Sequence, residues 1–416
     1  MFVAFEETVG ELAQNVASMG FDLQKLQDEG HLVMDHIALA PGDLEETGAW
    51  DLEGLFIRLG AAIDEVGAKR VVLDTIETLF GAFDNTAILR AELHRLFVWL
   101  KARGVTAVIT GERGDGSLTR HGIEEYVSDC VIVLDHRVSE QTSTRRLRVL
   151  KYRGSYHGTN EYPFLIGRHG VSVLPITSLG LDHTVSDERV SSGVESLDAM
   201  LGGEGLYRGS SVLIGGTSGT GKSTIAAQFC AAACGRGERA LYFAFEESAD
   251  QITRNMASVG IDLATWVSAG LLRFRCVRPS LLGLEAHLAS MHESVSDFEP
   301  DLMVMDPISD LLRTNGGQAV TAMLTRQVDY LKSRGVTALF TSLSQVGEAE
   351  NSEQQIGSLI DTWIVARLTE GPSAHRRVLY VRKSRGMAHS HEIREFLLSD
   401  QGLELAELPR EAVVPG

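Results

Sequence analysis

With 416 residues the chain is too long for one ordinary core and suits two domains of about 200 residues each. Its 44% hydrophobic and 23% charged content describes a soluble globular protein, and no apolar run reaches the roughly 18 residues that a membrane span needs. A formal charge of −18 repels phosphate backbones and argues against nucleic acid as a partner, while Cys130, Cys230, Cys234 and Cys276 follow no zinc spacing and read as buried thiols of a cytoplasmic protein without a secretory signal.

The first predicted strand, in FVAFEET (2–8), closes on adjacent Glu6 and Glu7 and leads into NVASMGFDL (15–23). Both stretches return as YFAFEES (242–248) and NMASVGIDL (255–263), at a constant offset of 240 residues from Phe2 to Tyr242 and from Leu23 to Leu263. The chain therefore carries an internal repeat of domain size. Further along the first copy, VVLD (71–74) is a buried strand ending in Asp74, and VTAVITG (105–111) is another. VLKYRGSYH (149–157) is a strand running into a basic hook with Lys151, Arg153 and His157.

The second copy opens near residue 188 with RVSSGVESLDAMLGG. A short apolar strand, SVLI (211–214), then meets Gly216-T-S-G-T-Gly221-Lys222-Ser223, which fits G-x-x-x-x-G-K-[ST], and the helical text TIAAQFCAAA follows. This order suits a nucleotide. Glycines let successive N–H groups turn inward around a phosphate, the helix adds its positive end, Lys222 reaches the β- and γ-phosphates, and the Ser223 hydroxyl ligates Mg2+. The next strand, ALYFAF (240–245), ends in Glu246 and Glu247, carboxylates able to polarise a water or a hydroxyl for attack on the γ-phosphate. DLMVMD (301–306) closes on Asp306, which would order Mg2+ through its water shell. VTALFTS (336–342) repeats the strand at 105–111, and LYVRKSRGMAH (379–389) repeats the hook with Lys383, Arg385 and His389 in the same K-x-R-G-x-x-H spacing. Far from its own phosphate loop, the hook is expected to reach across a subunit boundary as an arginine finger does; a solvated edge strand is the plain alternative.

Strands alternating with helices predict an α/β fold in which each copy is a mostly parallel sheet flanked by helices, with ligands at the strands' carboxyl ends. The expected division is 1–180 for the first domain, 181–187 for a linker, 188–405 for the second domain and 406–416 for a short tail. The first copy has no counterpart of the phosphate loop. Either its start is incomplete or the domain has lost nucleotide binding. Glu6, Glu7, Asp74 and the hook have little use without a nucleotide, which favours an incomplete start.

The duplicated glutamate pair, the entry RVSSGVESLDAMLGG, the phosphate loop and the recurrent hook resemble the KaiC family, circadian-clock ATPases and autokinases of the RecA-like superfamily, from residue 1 to about 405. The resemblance implies tandem RecA-like P-loop domains in a homo-hexamer with ATP and Mg2+ at subunit interfaces. It makes Glu246 the base with Glu247 assisting, and Glu6 with Glu7 the hydrolytic pair of the first tier. It places Thr217, Ser218, Gly219, Thr220, Gly221, Lys222, Ser223 and Thr224 around the phosphates, and Ser223, Asp306 and Glu246 around Mg2+. Lys383, Ser384, Arg385, Met387 and His389 would reach a neighbour's ATP, as Lys151, Tyr152, Arg153, Ser155 and His157 would in the first tier. The family's phosphorylated Ser-Thr pair falls on Gly357 and Ser358 in IGSLIDT (356–362), so Ser358 is the expected acceptor, with Ser352 as a second hydroxyl in the same segment. ALAPGDLEETGAWDL (38–52) resembles the region that receives a KaiB-like partner, whereas the longer tail that binds a KaiA-type activator has no counterpart, so no such activator is expected. Two other classes stay open: a RecA- or helicase-like DNA-dependent ATPase, against which the charge speaks, and a nucleotide-gated signalling scaffold without kinase activity.

Overall fold

The alternation of strands and helices folds into two units, one of Met1–Asp135 and Arg145–Val173, the other of His136–Thr144 and Leu174–Gly416. The structure is a computed structural model that describes residues 1–37, 52–80, 86–113, 127–139, 142–167, 170–173, 186–315, 317–343, 356–370, 375–400 and 402–408. No helix among them is long and apolar enough to cross a membrane.

In the first unit β1 (Phe2–Ala4), β2 (Met34–His36), β3 (Arg70–Asp74) and β4 (Thr106–Ile109) form a parallel sheet in the order β2-β1-β3-β4. A separate sheet runs β5 (Cys130–Ser139), β6 (Thr142–Tyr152), β7 (Tyr162–Gly167) and β8 (Gly170–Val173) in chain order. The second unit begins with a short antiparallel pair, β9 (Arg189–Val190) and β10 (Leu206–Tyr207). Its main sheet contains β11 (Ser211–Gly216), β12 (Ala240–Ala244), β13 (Leu272–Cys276), β14 (Leu302–Asp306), β15 (Thr337–Leu343), β16 (Thr362–Glu370), β17 (His375–Ser384), β18 (Arg394–Ser399) and β19 (Gly402–Glu407). These pair in the order β13-β12-β14-β15-β11-β16-β17-β18-β19, parallel as far as β16 and antiparallel beyond it.

The two units differ at β11. In the second unit β11 lies between β15 and β16 and joins the parallel half of the sheet to the antiparallel half. Among the described residues no strand stands between β4 and β5, and β1–β4 and β5–β8 form two separate four-stranded sheets. Exposure follows from the pairing: β15 is buried from Thr337 to Ser342, whereas Val108 on β4 is 51% exposed and Ile132 and Leu134 on β5 are 56% and 57% exposed.

Side-chain alternation explains why the second sheet is covered on both faces. Val212, Ile214, Tyr242, Leu302 and Val304 point into one core, and Leu213, Leu241, Phe243, Met303 and Met305 into the other. The helix Lys222–Gly235 packs on the first of these cores through Ile225, Phe229 and Cys230. The helices Leu284–Phe298 and Gly317–Ser333 cover the other through Leu288, Met291, Leu324 and Leu331. Of the cysteines, Cys230 and Cys234 are buried, but Cys130 and Cys276 are exposed, because each sits at the end of an outer strand.

Candidate functional site

Because β11, β12, β14 and β15 run parallel, their carboxyl ends line one edge of the sheet. The turn after β11 starts at Gly216, where a side chain would come within 2.2 Å of the Ala366 carbonyl oxygen. It passes Gly219 and Gly221 at φ of 78° and 91°, left-handed values that favour glycine, and enters the helix at Lys222. Lys222 is buried, and its Nζ donates to the Thr217 carbonyl at 2.8 Å, beside Thr220 Oγ1 donating to the same oxygen at 2.9 Å. Ser218 and Gly219 are exposed at the tip of the loop, Ser223 is half-buried and Thr224 is buried on the first helical turn. Left-handed glycines at a helix start, with a lysine turned to the loop and a half-buried serine on the first helical turn, form a set that fits a polyphosphate and its Mg2+.

Glu246 and Glu247 follow β12. Ser248 then caps the helix Ala249–Ala257 by accepting from Gln251 N, while the Gln251 side chain accepts from Ser248 N. Thr8 and Glu11 form the same box behind Glu6 and Glu7, so both glutamate pairs sit on strand-to-helix corners fixed by a cap. Asn255 Nδ2 reaches Glu247 Oε2 at 3.5 Å, and Asn15 Nδ2 reaches Glu7 Oε1 at 3.3 Å.

Asp306 ends β14 next to this corner and is buried. Tyr242, from β12, donates to its Oδ2 at 2.5 Å, and Thr341, from β15, donates to its Oδ1. Burial and then the Asp306 charge push the Tyr242 phenol well above its ordinary pKa, so it stays a donor. In the first unit Thr110 donates to Asp74 in the same way, but Phe2 takes the place of Tyr242. Asp310, buried in the helix Ser309–Asn315, hydrogen-bonds Glu246 and pairs with Arg313 at 3.0 Å. Desolvation of the Glu246 carboxyl, followed by the charge of Asp310 and that hydrogen bond, raises the Glu246 pKa above the ordinary glutamate value. In the first unit Thr78 stands at the position of Asp310, and Thr78 and Thr75 donate to Glu6 Oε1 at 3.2 and 3.1 Å. The sequence pattern marks none of these partners; a lone tyrosine in the apolar strand ALYFAF is the only trace of Tyr242.

The hook lies elsewhere. β16 runs parallel to β11, with Thr362 beside Val212 and Ala366 beside Gly216, and β17 returns antiparallel with Ser384 beside Thr362. Lys383 and Arg385 therefore emerge at the amino end of β11, about 13 Å along the strand from the phosphate loop of their own unit. Ser358, shortly before β16, lies at this same far end. Lys383 Nζ donates to the Gly357 and Ile360 carbonyls, both at 2.7 Å, and Arg385 to the Ser358 carbonyl at 2.6 Å. Ser384 Oγ is 2.9 Å from Thr362 Oγ1, and Met387 packs on the core. His389 meets His391 edge-on at 4.9 Å between ring centroids, and its Nε2 is buried without a partner among the described residues.

In the first unit Arg153 N donates to the Asp129 carbonyl at 2.8 Å, as Arg385 N does to that of Asp361 at 2.9 Å. Lys151 is half-buried, Tyr152 is exposed, Ser155 Oγ donates to the Tyr156 carbonyl at 3.2 Å, and His157 Nδ1 is 3.4 Å from the Ser155 carbonyl. Ser352 and residues 38–51 of the 38–52 segment lie outside the described residues. The phosphate loop, Glu246, Glu247 and Asp306 thus share one edge of the second sheet, while the hook and Ser358 share the opposite one.

Comparison with known proteins agrees with this geometry. The family profile described as "ATPase: KaiC" matches residues 1–178 and again 190–410. The chain is 52% identical over 410 residues to "Circadian clock protein KaiC2" of Synechocystis sp., covering 98% of this chain and 72% of that protein. It is 36% identical over 422 residues to "Circadian clock oscillator protein KaiC" of Synechococcus elongatus, covering 100% of this chain and 81% of the relative, and 36% identical to the protein of the same name from Parathermosynechococcus lividus, covering 78% of that relative. With the family profile matched in both units and this identity over nearly its whole length, the chain belongs to the KaiC family of ATPases.

Proposed function

We propose that the protein is an ATP-hydrolysing autokinase that phosphorylates itself on Ser358 and works as a homo-hexameric ring with each nucleotide between two subunits. The observation that carries this reading is the placement of Lys383, Arg385 and Ser358 at the opposite end of β11 from Gly216–Ser223, so that a loop from another copy is needed to meet them. Residues 217–224 would hold the phosphates with their N–H groups and Lys222, while Ser223 and Asp306, with Glu246 beside them, would hold Mg2+. Bound ATP would supply the electrophilic phosphoryl group. Glu246, its pKa raised by desolvation and by Asp310, takes the proton of the attacking water or of the Ser358 hydroxyl, and Glu247 assists. Glu6 and Glu7, with the hook from Lys151 to His157, serve hydrolysis in the first tier. The names of the relatives extend the reading to circadian or related timing in the cytoplasm, with a KaiB-like partner at 38–52.

Intact-mass analysis after incubation with Mg-ATP tests it. One major phosphate per subunit is expected, mapped to Ser358 with Ser352 minor, and lost in Ser358→Ala while ATP binding persists. Phosphate elsewhere with Ser358 bare overturns the acceptor, and none during active turnover leaves an ATPase without kinase activity.

A further inference from the structure

The acceptor turn is anchored at both ends and held in the middle. Ile356 and Ile360 are each 1% exposed, and Leu359 N donates to the Ile356 carbonyl at 2.9 Å. Between these anchors the Gly357, Ser358 and Ile360 carbonyls accept from Lys383 and Arg385 at 2.6–2.7 Å. Neither cation pairs with a carboxylate among the described residues. They stand near each other, and burial followed by the Arg385 charge holds the Lys383 pKa below the ordinary lysine value. An ammonium has three N–H donors and a guanidinium five, so two carbonyls on Lys383 and one on Arg385 leave donors for an anion. An anion there would relieve the repulsion of two like charges while the carbonyl bonds remain.

We propose that Lys383 and Arg385 are positioning residues for the acceptor. They grip the Gly357–Ile360 turn by its main-chain carbonyls and keep donors for phosphate oxygens, so that an anion arriving at the hook tightens the turn around Ser358 instead of releasing it. This rests on the proposal above that the hook meets a neighbour's nucleotide. The alternative, in which phosphate oxygens replace the carbonyls and free the turn, predicts the opposite change in mobility.

Hydrogen exchange on the full-length assembled protein separates the two. The amides of Leu359 and Asp361, which donate to the Ile356 and Ser211 carbonyls, report on the turn, and those of β14 report on the intact sheet. Saturating Mg-AMP-PNP is expected to slow exchange at 357–361 severalfold in the native sequence. Lys383→Met, which deletes two charge-assisted bonds, should speed it about tenfold without nucleotide and remove the nucleotide response. Lys383→Arg should restore both. Faster exchange with nucleotide in the native sequence, or Lys383→Met exchange equal to native with β14 protected, overturns the proposal. Should Lys383→Met fail to fold, the native nucleotide response decides alone. The phosphate map is read separately: a bare Ser358 sinks the kinase reading and leaves the exchange result standing.

Discussion

At the scale of single residues, the internal repeat supplies its own controls. Phe2 shows that a phenyl ring fits where Tyr242 stands, so Tyr242→Phe removes one hydroxyl without disturbing packing. It leaves Asp306 Oδ2 without its donor. A loss of about 1–2 kcal/mol in urea unfolding is expected, together with a raised Mg2+ requirement for turnover. Unchanged values of both would mean that the hydroxyl does not orient the carboxylate. Gly357 is a different case. A side chain there would meet the Trp363 ring at 2.6 Å, and that ring lies under Arg382, whose guanidinium carbon is 4.4 Å from its centroid. Gly357→Ser therefore overpacks the turn at about 1–3 kcal/mol and does not install a second acceptor beside Ser358. A doubly phosphorylated subunit with an unchanged melting temperature would contradict this.

At the scale of elements, the contact between the helices Leu284–Phe298 and Gly317–Ser333 contains a titrating group. The His292 ring stacks on Tyr330 with centroids 3.6 Å apart, and Arg334 lies over the same tyrosine at 5.1 Å. Burial and then the Arg334 charge lower the His292 pKa from 6.5 to about 4. The folded state keeps this histidine neutral where the unfolded chain would protonate it. Its contribution is complete above pH 6.5 and is lost as the pH falls from 6.5 toward about 4. The loss is about 2 kcal/mol after discounting for solvent screening. His292→Leu should flatten the decline of unfolding free energy across that window. The same slope in the variant would place the acid sensitivity in another group.

At the scale of the whole molecule, a subunit whose phosphate loop and hook lie at opposite ends of β11 carries two half-sites. Turnover per subunit is expected to rise with protein concentration. Lys222→Ala and Arg385→Ala subunits, each inactive in the second tier, should recover part of that activity when mixed, because some interfaces then carry both intact halves. No recovery from subunits shown to mix would place the hook outside the catalytic site. Lys222→Ala should abolish ATP binding by the second unit, read by filter binding, because the lysine is the main side-chain counter-charge for the β- and γ-phosphates.

The sequence alone determined what is local. A phosphate loop is a run of eight residues between a strand and a helix, a glutamate pair is a strand's last word, and the hook is a fixed spacing; each is dictated by neighbours along the chain, and the repetition of the glutamate pair and the hook announced two α/β units. Tertiary structure decided what depends on strand order. Tyr242 and Thr341 reach Asp306 from 64 and 35 residues away because β12 and β15 flank β14, and Asp310 meets Glu246 across the same edge. The separation of the hook from its own phosphate loop follows from the parallel register of β16 on β11 and the antiparallel return of β17. Strand pairing is non-local: burial on both faces and the ladder of backbone hydrogen bonds select it, and neither is written in the spacing of any one motif.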